Sequence, residues 1–317
     1  MPIYEFRKAV FRNGLSGGAT EPFTHNDKSF QITYITLMQE PIIILTAPNG
    51  AKKTKKDHPN IPLFPEEIGV AARDCRDAGA ALIHLHIRDE RAAHTIDAEG
   101  YKKAIAAIKN QVGDDLIIQV TSESVEIFSP EEQIAMVREL KPEAVSLAIR
   151  EIIPTQADES RAAEFFAWLQ TNKIAPQFIL YSPEEVKYFT RLVEEKIIPQ
   201  DNKFVLFVLG KKNGPNIESA YANPEDLHPF VEIYEKHLKS RNVKWAVCAF
   251  GGYENKCMLE AVKLGGHVRI GFENNILMAD GSIAPDNAAL IRQFVNSLPK
   301  DSRKPADVEM AKRMLLY

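Results

Sequence analysis

Short apolar runs alternate with longer amphipathic stretches along most of this chain. The runs are PIIILTA (41–47), AALIHLHI (80–87), DLIIQVTS (115–122), EAVSLAI (143–149), PQFILYS (176–182), KFVLFVL (203–209), VKWAVCAF (243–250) and GHVRIGF (266–272). Each is rich in Val, Ile, Leu or Phe and mostly continuous, which is how a strand buried on both faces reads. A helix-like stretch follows each run, as at 65–80, 130–140, 182–195 and 223–239. Several of these open with Ser or Asn, then Pro, then acidic residues. That order supplies a cap, a proline at the first helical position and negative charge against the positive end of the helix dipole.

Eight strand–helix units predict a closed (β/α)8 TIM barrel over residues 41–317, as a single catalytic domain. A doubly wound open sheet has the same alternation, and the count of eight favours the barrel. Residues 1–40 stand outside it as an N-terminal extension. Within them SFQITYITLMQE (29–40) reads as an extra strand or hairpin that closes the barrel bottom or meets a neighbouring subunit.

Composition narrows the classes. The 317 residues are 45% hydrophobic, enough for one large core. A net charge of −4 excludes a dominant basic surface for nucleic acid. No apolar run reaches the roughly 18–20 residues of a membrane span, and the N-terminus lacks a secretory pattern. Cys75, Cys248 and Cys257 are too few for a disulfide framework. We therefore expect a cytoplasmic protein with small-molecule partners and no nucleic-acid or membrane partner. We also expect a homo-oligomer, with a tetramer among the arrangements considered.

In a barrel of this type, chemistry sits at the C-terminal ends of the strands. The second run ends in His84-Leu85-His86, and period-two alternation sends both imidazoles to one side. Two imidazoles, one carboxylate and an open position make a catalytic zinc set. The eighth run ends in Arg269-Ile270-Gly271-Phe272-Glu273, and its strand and the second both neighbour the first, so Glu273 can supply the carboxylate. The competing reading is a pair of hydrogen-bonded structural histidines. His25, His58, His94, His228, His237 and His267 have that default reading, with His228 and His237 on an outer helix and His267 at the wrong end of its strand. Cys248 reads as a small buried hydrophobe. The run Lys52–Lys56 reads either as a solvated loop or as an attractor of phosphate groups or an anionic substrate.

LTAPNGA (45–51), HPNIPLFPEE (58–67), AGAALIHLHIRDE (78–90), FVLG (207–210), WAV (245–247) and GGHVRIGFENNI (265–276) carry a resemblance. From about residue 42 to about residue 298 the chain resembles the β-keto acid cleavage enzyme family, whose named member acts on 3-keto-5-aminohexanoate. The resemblance implies a (β/α)8 barrel, Zn2+ on His84, His86 and Glu273, and acetyl-CoA as co-substrate. It implies a reverse-Claisen acyl transfer in which a β-keto acid and acetyl-CoA give acetoacetate and an acyl-CoA. Arg269 falls on the family's catalytic arginine, and Thr121, Ser122 and Ser146 near its substrate-binding hydroxyls. A zinc-bound β-keto acid suits that chemistry, since the metal stabilises charge as the enolate leaves.

The chain departs from the family pattern at four places. Asn274 stands where family members often carry an acid, and Lys52 where the amino-keto-acid enzyme offers a glutamate. Thr121-Ser122-Glu123 replaces Ser-Thr-Gly, and the fourth run ends in Ala148-Ile149-Arg150-Glu151. With Lys52 and Arg150 as cationic gains near Asn274, the expected substrate is neutral or anionic at its far end. Two other functions compete. A zinc hydrolase of the amidohydrolase type would need more histidines at later strand ends, where runs five and six offer Tyr181-Ser182 and Leu209-Gly210. A non-catalytic ligand-binding barrel could have kept the metal.

Overall fold

The computed structural model describes residues 40–199, 203–210 and 221–316. Eight strands form a closed ring: β1 (Ile44–Thr46), β2 (Leu82–Leu85), β3 (Ile117–Thr121), β4 (Ala144–Ala148), β5 (Ala175–Leu180), β6 (Phe204–Leu209), β7 (Lys244–Ala249) and β8 (His267–Ile270). Neighbours pair in parallel throughout. Ring closure falls on β1, where Leu45 is in register with Leu82 on one side and Arg269 on the other. The barrel, rather than the open sheet, is the architecture.

Every strand falls on an expected apolar run, β5 starting one residue early at Ala175, because a strand covered by helices outside and side chains inside needs apolar residues on both faces. Ile44, Ile83, Ile118 and Val145 face outward to the helix layer. Their alternates Ile43, Leu45, Leu82, Ile117, Phe204, Leu206 and Ala246 meet inside the barrel. The lower end is covered by a helix that sequence periodicity had not separated from the last unit, Val308–Leu315. Its Ala311 and Leu315 belong to the inner cluster. The expected element at 29–40 falls, but for Glu40, outside the described residues.

The outer helices are α1 (Pro65–Asp77), α2 (Ala98–Val112), α3 (Pro130–Leu140), α4 (Glu159–Thr171), α5 (Pro183–Glu194), α6 (His228–His237), α7 (Glu254–Lys263) and α8 (Asn287–Ser297); the covering helix is α9. Their starts follow the sequence signature. The Ser129 Oγ accepts from the Glu132 N–H at 3.2 Å, and Glu132 Oε2 accepts from the Ser129 N–H at 2.7 Å, closing a capping box before Pro130. Ser182 caps α5 in the same way, its Oγ accepting from the Glu185 N–H. The stretch 223–239 is not one helix. Pro229 has no N–H to give a preceding carbonyl, so a 3-10 turn (Pro224–Leu227) precedes α6.

The β1–β8 seam sets where the strand ends point. The Ala47 N–H donates to the Ile270 carbonyl at 2.9 Å, and the Glu273 N–H donates back to the Ala47 carbonyl at 3.0 Å. Between them Gly271 has φ +148°, and a Cβ there would lie 2.4 Å from the Ala47 carbonyl oxygen. Backbone cannot yield as a flexible side chain does. Gly271→Ala is therefore expected to destabilise the fold by about 2 kcal/mol or more. Urea unfolding measures this, and wild-type stability in Gly271→Ala would contradict the seam's tightness.

Candidate metal centre and active site

The ends of β2, β3, β5, β6, β7 and β8 contribute residues to the C-terminal mouth. From β2 come His84 and, just beyond it, His86; both are buried. Their Nε2 atoms are 3.1 Å apart, and Glu273 Oε2 lies 3.5 Å from each. A tetrahedral zinc ion with bonds of about 2.0–2.1 Å has ligand–ligand edges of about 3.4 Å, so the three donors are spaced like one face of that polyhedron. Among the described residues these three form the group able to hold a metal ion. Glu273 Oε2 and His86 Nδ1 have no hydrogen-bond partner although they are buried. A buried acceptor left without a donor is costly, and a cation at this point would satisfy the carboxylate oxygen.

Protonation favours ligation. His84 Nδ1 meets Gln119 Oε1 at 2.9 Å; donating there leaves the Nε2 lone pair free. Burial, the largest influence, pulls the His84 imidazole down to about 3, with Arg269 and His86 adding to it against Glu273. Burial alone would raise the Glu273 carboxyl, but Arg269 and the two imidazoles outweigh it and hold it well below the usual range. Neutral imidazole and ionised carboxylate are the ligating forms.

The frame around the triad is tight. Gly50, at φ +65°, lies against Glu273: a Cβ there would be 2.5 Å from Glu273 Cγ. Asn49 Nδ2 donates to the His86 carbonyl at 3.0 Å and to the Pro62 carbonyl at 2.9 Å, tying the β1 loop to the histidine segment. Arg269, 3% exposed, donates through Nη2 to Glu273 Oε1 at 2.9 Å, Asn274 Oδ1 at 3.2 Å and Cys248 Sγ at 3.2 Å. Cys248 is thus an acceptor in a polar cluster and not only an apolar filler.

The other expected site residues divide. Thr121 lines the small cavity above the triad together with Glu123, Ile179, Tyr181, Val208, Phe250 and Arg269. Ser146 lies behind Thr121 rather than on the lining, its Oγ donating to Thr121 Oγ1 at 3.2 Å. Ser122 does not line it either: its hydroxyl donates to Gln133 Oε1 on α3, on the outer face of the barrel wall. Asn274 does not line the cavity; it accepts from Arg269 and donates to Glu254 Oε1 at 3.1 Å, a brace under the guanidinium. Burial pushes the Glu254 carboxyl up to about 8, against the pull of Asn274 and the Gly271 N–H. Lys52 is exposed, and its neighbour Lys53 is the one that reaches the site, its Nζ donating to the Glu273 carbonyl at 2.6 Å. Arg150 stacks on the Tyr181 ring, 3.5 Å from its centroid, and faces Glu185 at 3.8 Å. It borders a separate open cleft of about 560 Å3.

Glu123, Gln119 and Tyr181 are additions. Gln119 is two residues before Thr121 on β3, so the alternation that aligned His84 with His86 also sends it inward. Among the remaining histidines, His94 Nε2 donates to the Glu123 carbonyl at 2.8 Å. Burial draws the His94 imidazole down to about 4. His267 Nδ1 accepts from the Ile43 N–H at 3.1 Å near the barrel bottom, a structural role.

Comparisons with known proteins give the family and the fold. The family model for the beta-keto acid cleavage enzyme matches residues 41–316. A 3-keto-5-aminohexanoate cleavage enzyme of Acetoanaerobium sticklandii is 30% identical over 284 residues, covering 87% of this chain and 98% of that protein. A 3-oxoadipate:acetyl-CoA acetyltransferase of Cupriavidus necator is 24% identical over 286 residues, covering 88% of this chain and 95% of that one. The solved apo structure of ObcA superposes with a TM-score of 0.63 at 15% identity, over 81% of this chain and 65% of that one, and supports the barrel fold alone. The chain belongs to the beta-keto acid cleavage enzyme family.

Proposed function

We propose that this chain is a zinc-dependent acyltransferase that cleaves a β-keto acid with acetyl-CoA, giving acetoacetate and an acyl-CoA. The family supplies the reaction class, a C–C bond-cleaving acyl transfer. The observation that carries the metal reading is the spacing of His84, His86 and Glu273, with an unpartnered carboxylate oxygen as one of the three donors. When bound there, zinc supplies Lewis acidity towards a keto oxygen.

The chain's own residues do the rest. Gln119 holds the His84 tautomer, and Arg269 fixes one oxygen of Glu273 so that the other faces the imidazoles. Arg269 also sets a buried positive charge at the cavity wall, where an enolate's charge would be stabilised. Thr121, backed by Ser146, offers a hydroxyl for a substrate carboxylate. Ile179, Val208 and Phe250 form the apolar side of the cavity. The placement of Lys52 outside the cavity and Arg150 behind Tyr181 removes the basis for an anionic-tail preference, and Glu123 adds an acid inside.

The hydrolase alternative lacks its ligands, since β5 and β6 end in Tyr181-Ser182 and Leu209-Gly210 and no second metal group forms among the described residues. A non-catalytic barrel would bind metal without turnover. No described helix is long and apolar enough to cross a membrane. A homo-oligomer in the cytoplasm fits a metabolic enzyme of this kind and is part of the proposal.

Three outcomes are expected. Purified protein carries one zinc per chain by metal analysis, and His86→Ala abolishes both metal and activity; full occupancy in a His84→Ala/His86→Ala double variant would end the metal assignment. Arg269→Met lowers kcat by about 100-fold or more while zinc stays bound, as expected for losing a charge-stabilising group; a zinc-loaded variant with near-normal kcat would exclude that role. Incubation with acetyl-CoA and a panel of β-keto acids of anionic, neutral and cationic tail forms a new thioester with at least one of them; zinc-loaded protein inert to the whole panel would favour the non-catalytic reading.

A further inference from the structure

Glu123 brings a carboxylate to the metal centre. Its Oε2 lies 3.8 Å from His86 Nε2, and its side chain is 14% exposed. The backbone beneath it is fixed at both ends: its N–H donates to Thr121 Oγ1 at 3.1 Å, and its carbonyl accepts from His94. Only the side-chain torsions are therefore left to move the carboxylate. The 3.8 Å gap exceeds the roughly 3.4 Å edge of a tetrahedral zinc site by little, and a torsional adjustment closes it.

The three assigned donors occupy one face of a tetrahedron and leave the fourth corner towards the cavity. Glu123 lines that cavity, whose free volume is only about 10 Å3. That is room for about one water molecule and too little for a β-keto acid. A group must withdraw before substrate enters. Ile179, Val208 and Thr121 belong to the barrel wall, Arg269 is held by three acceptors, Tyr181 is stacked with Arg150, and the Phe250 backbone is bonded to Leu209 and Ala222. Glu123 projects from the loop after β3, where Val125 and Glu126 take positive φ of 48° and 63°.

We propose that Glu123 is a fourth, exchangeable carboxylate ligand of this metal centre, bound in the resting enzyme and displaced by the keto acid. The inference rests on the metal reading above. It makes the resting site a closed two-histidine, two-carboxylate centre. It also gives substrate entry a charge requirement: the incoming oxygens must replace an anion on the metal.

The test uses the full chain, its apo form, and two variants, Glu123→Gln and Glu123→Gly. Zinc affinity is measured by competition with a chromophoric chelator, and visible spectra are recorded on Co2+-loaded protein with and without saturating acetoacetate. Both variants should bind zinc about 10-fold or more weakly, in line with the loss of a group that supports a metal site, with the apo Tm unchanged. Ligand-free Co2+ spectra of wild type and Glu123→Gln should differ, and their acetoacetate-saturated spectra should coincide. Equal zinc affinities with identical ligand-free spectra would overturn the assignment of Glu123 alone. Spectra that still differ at saturation would show the carboxylate remaining on the metal and overturn its displacement. A wild-type chain that takes up no metal would overturn the metal reading itself and this inference with it.

Discussion

The site depends on one buried ion pair, Arg269 with Glu273, set four residues apart across the turn at the end of β8. Both charges are largely withdrawn from solvent, so each needs the other, and removing one partner of a buried pair costs about 3–5 kcal/mol. The pair also distributes work within a single carboxylate. One oxygen is held by the guanidinium, and the other is left facing two imidazoles without a donor. The brace continues outward, from Arg269 to Asn274 to Glu254. Asn274 relays the contact through its amide.

Much of this was legible in the chain because regular structure has fixed periods. Eight continuous apolar runs located all eight strands, and the alternation that placed His84 and His86 together was correct. So was the adjacency that brought Glu273 over from β8. The same alternation also separates Ser122 from Thr121. One faces α3 and the other the cavity, a distinction that follows from period two.

Loops were less legible because no period governs them. In the basic run after β1, Lys53 and not Lys52 reaches Glu273, a matter of local turn geometry. Arg150 follows the last residue of β4 into a short helical turn, which directs its guanidinium across the Tyr181 ring. Pattern marked Glu123 as a departure from a glycine but could not show where its side chain points. The helix over the barrel bottom was missed because an eight-residue amphipathic segment after the eighth unit looks like more of the outer layer.

The ring is divided into two arcs. The three metal donors come from β8 and β2, which flank β1; the loops of these adjacent strands are locked by Asn49, Gly50 and the Ala47 backbone, with Gln119 of β3 bracing His84 and Cys248 of β7 bracing Arg269. The cavity's shape comes from the opposite arc, through Ile179 and Tyr181 after β5, Val208 on β6 and Phe250 after β7. Because none of these four side chains is a metal donor or a brace of one, they can be exchanged without removing a member of the coordination frame. Selectivity and reactivity are thus separable quantities in this barrel: one half of the wall can drift towards new acyl groups while the other keeps the chemistry constant.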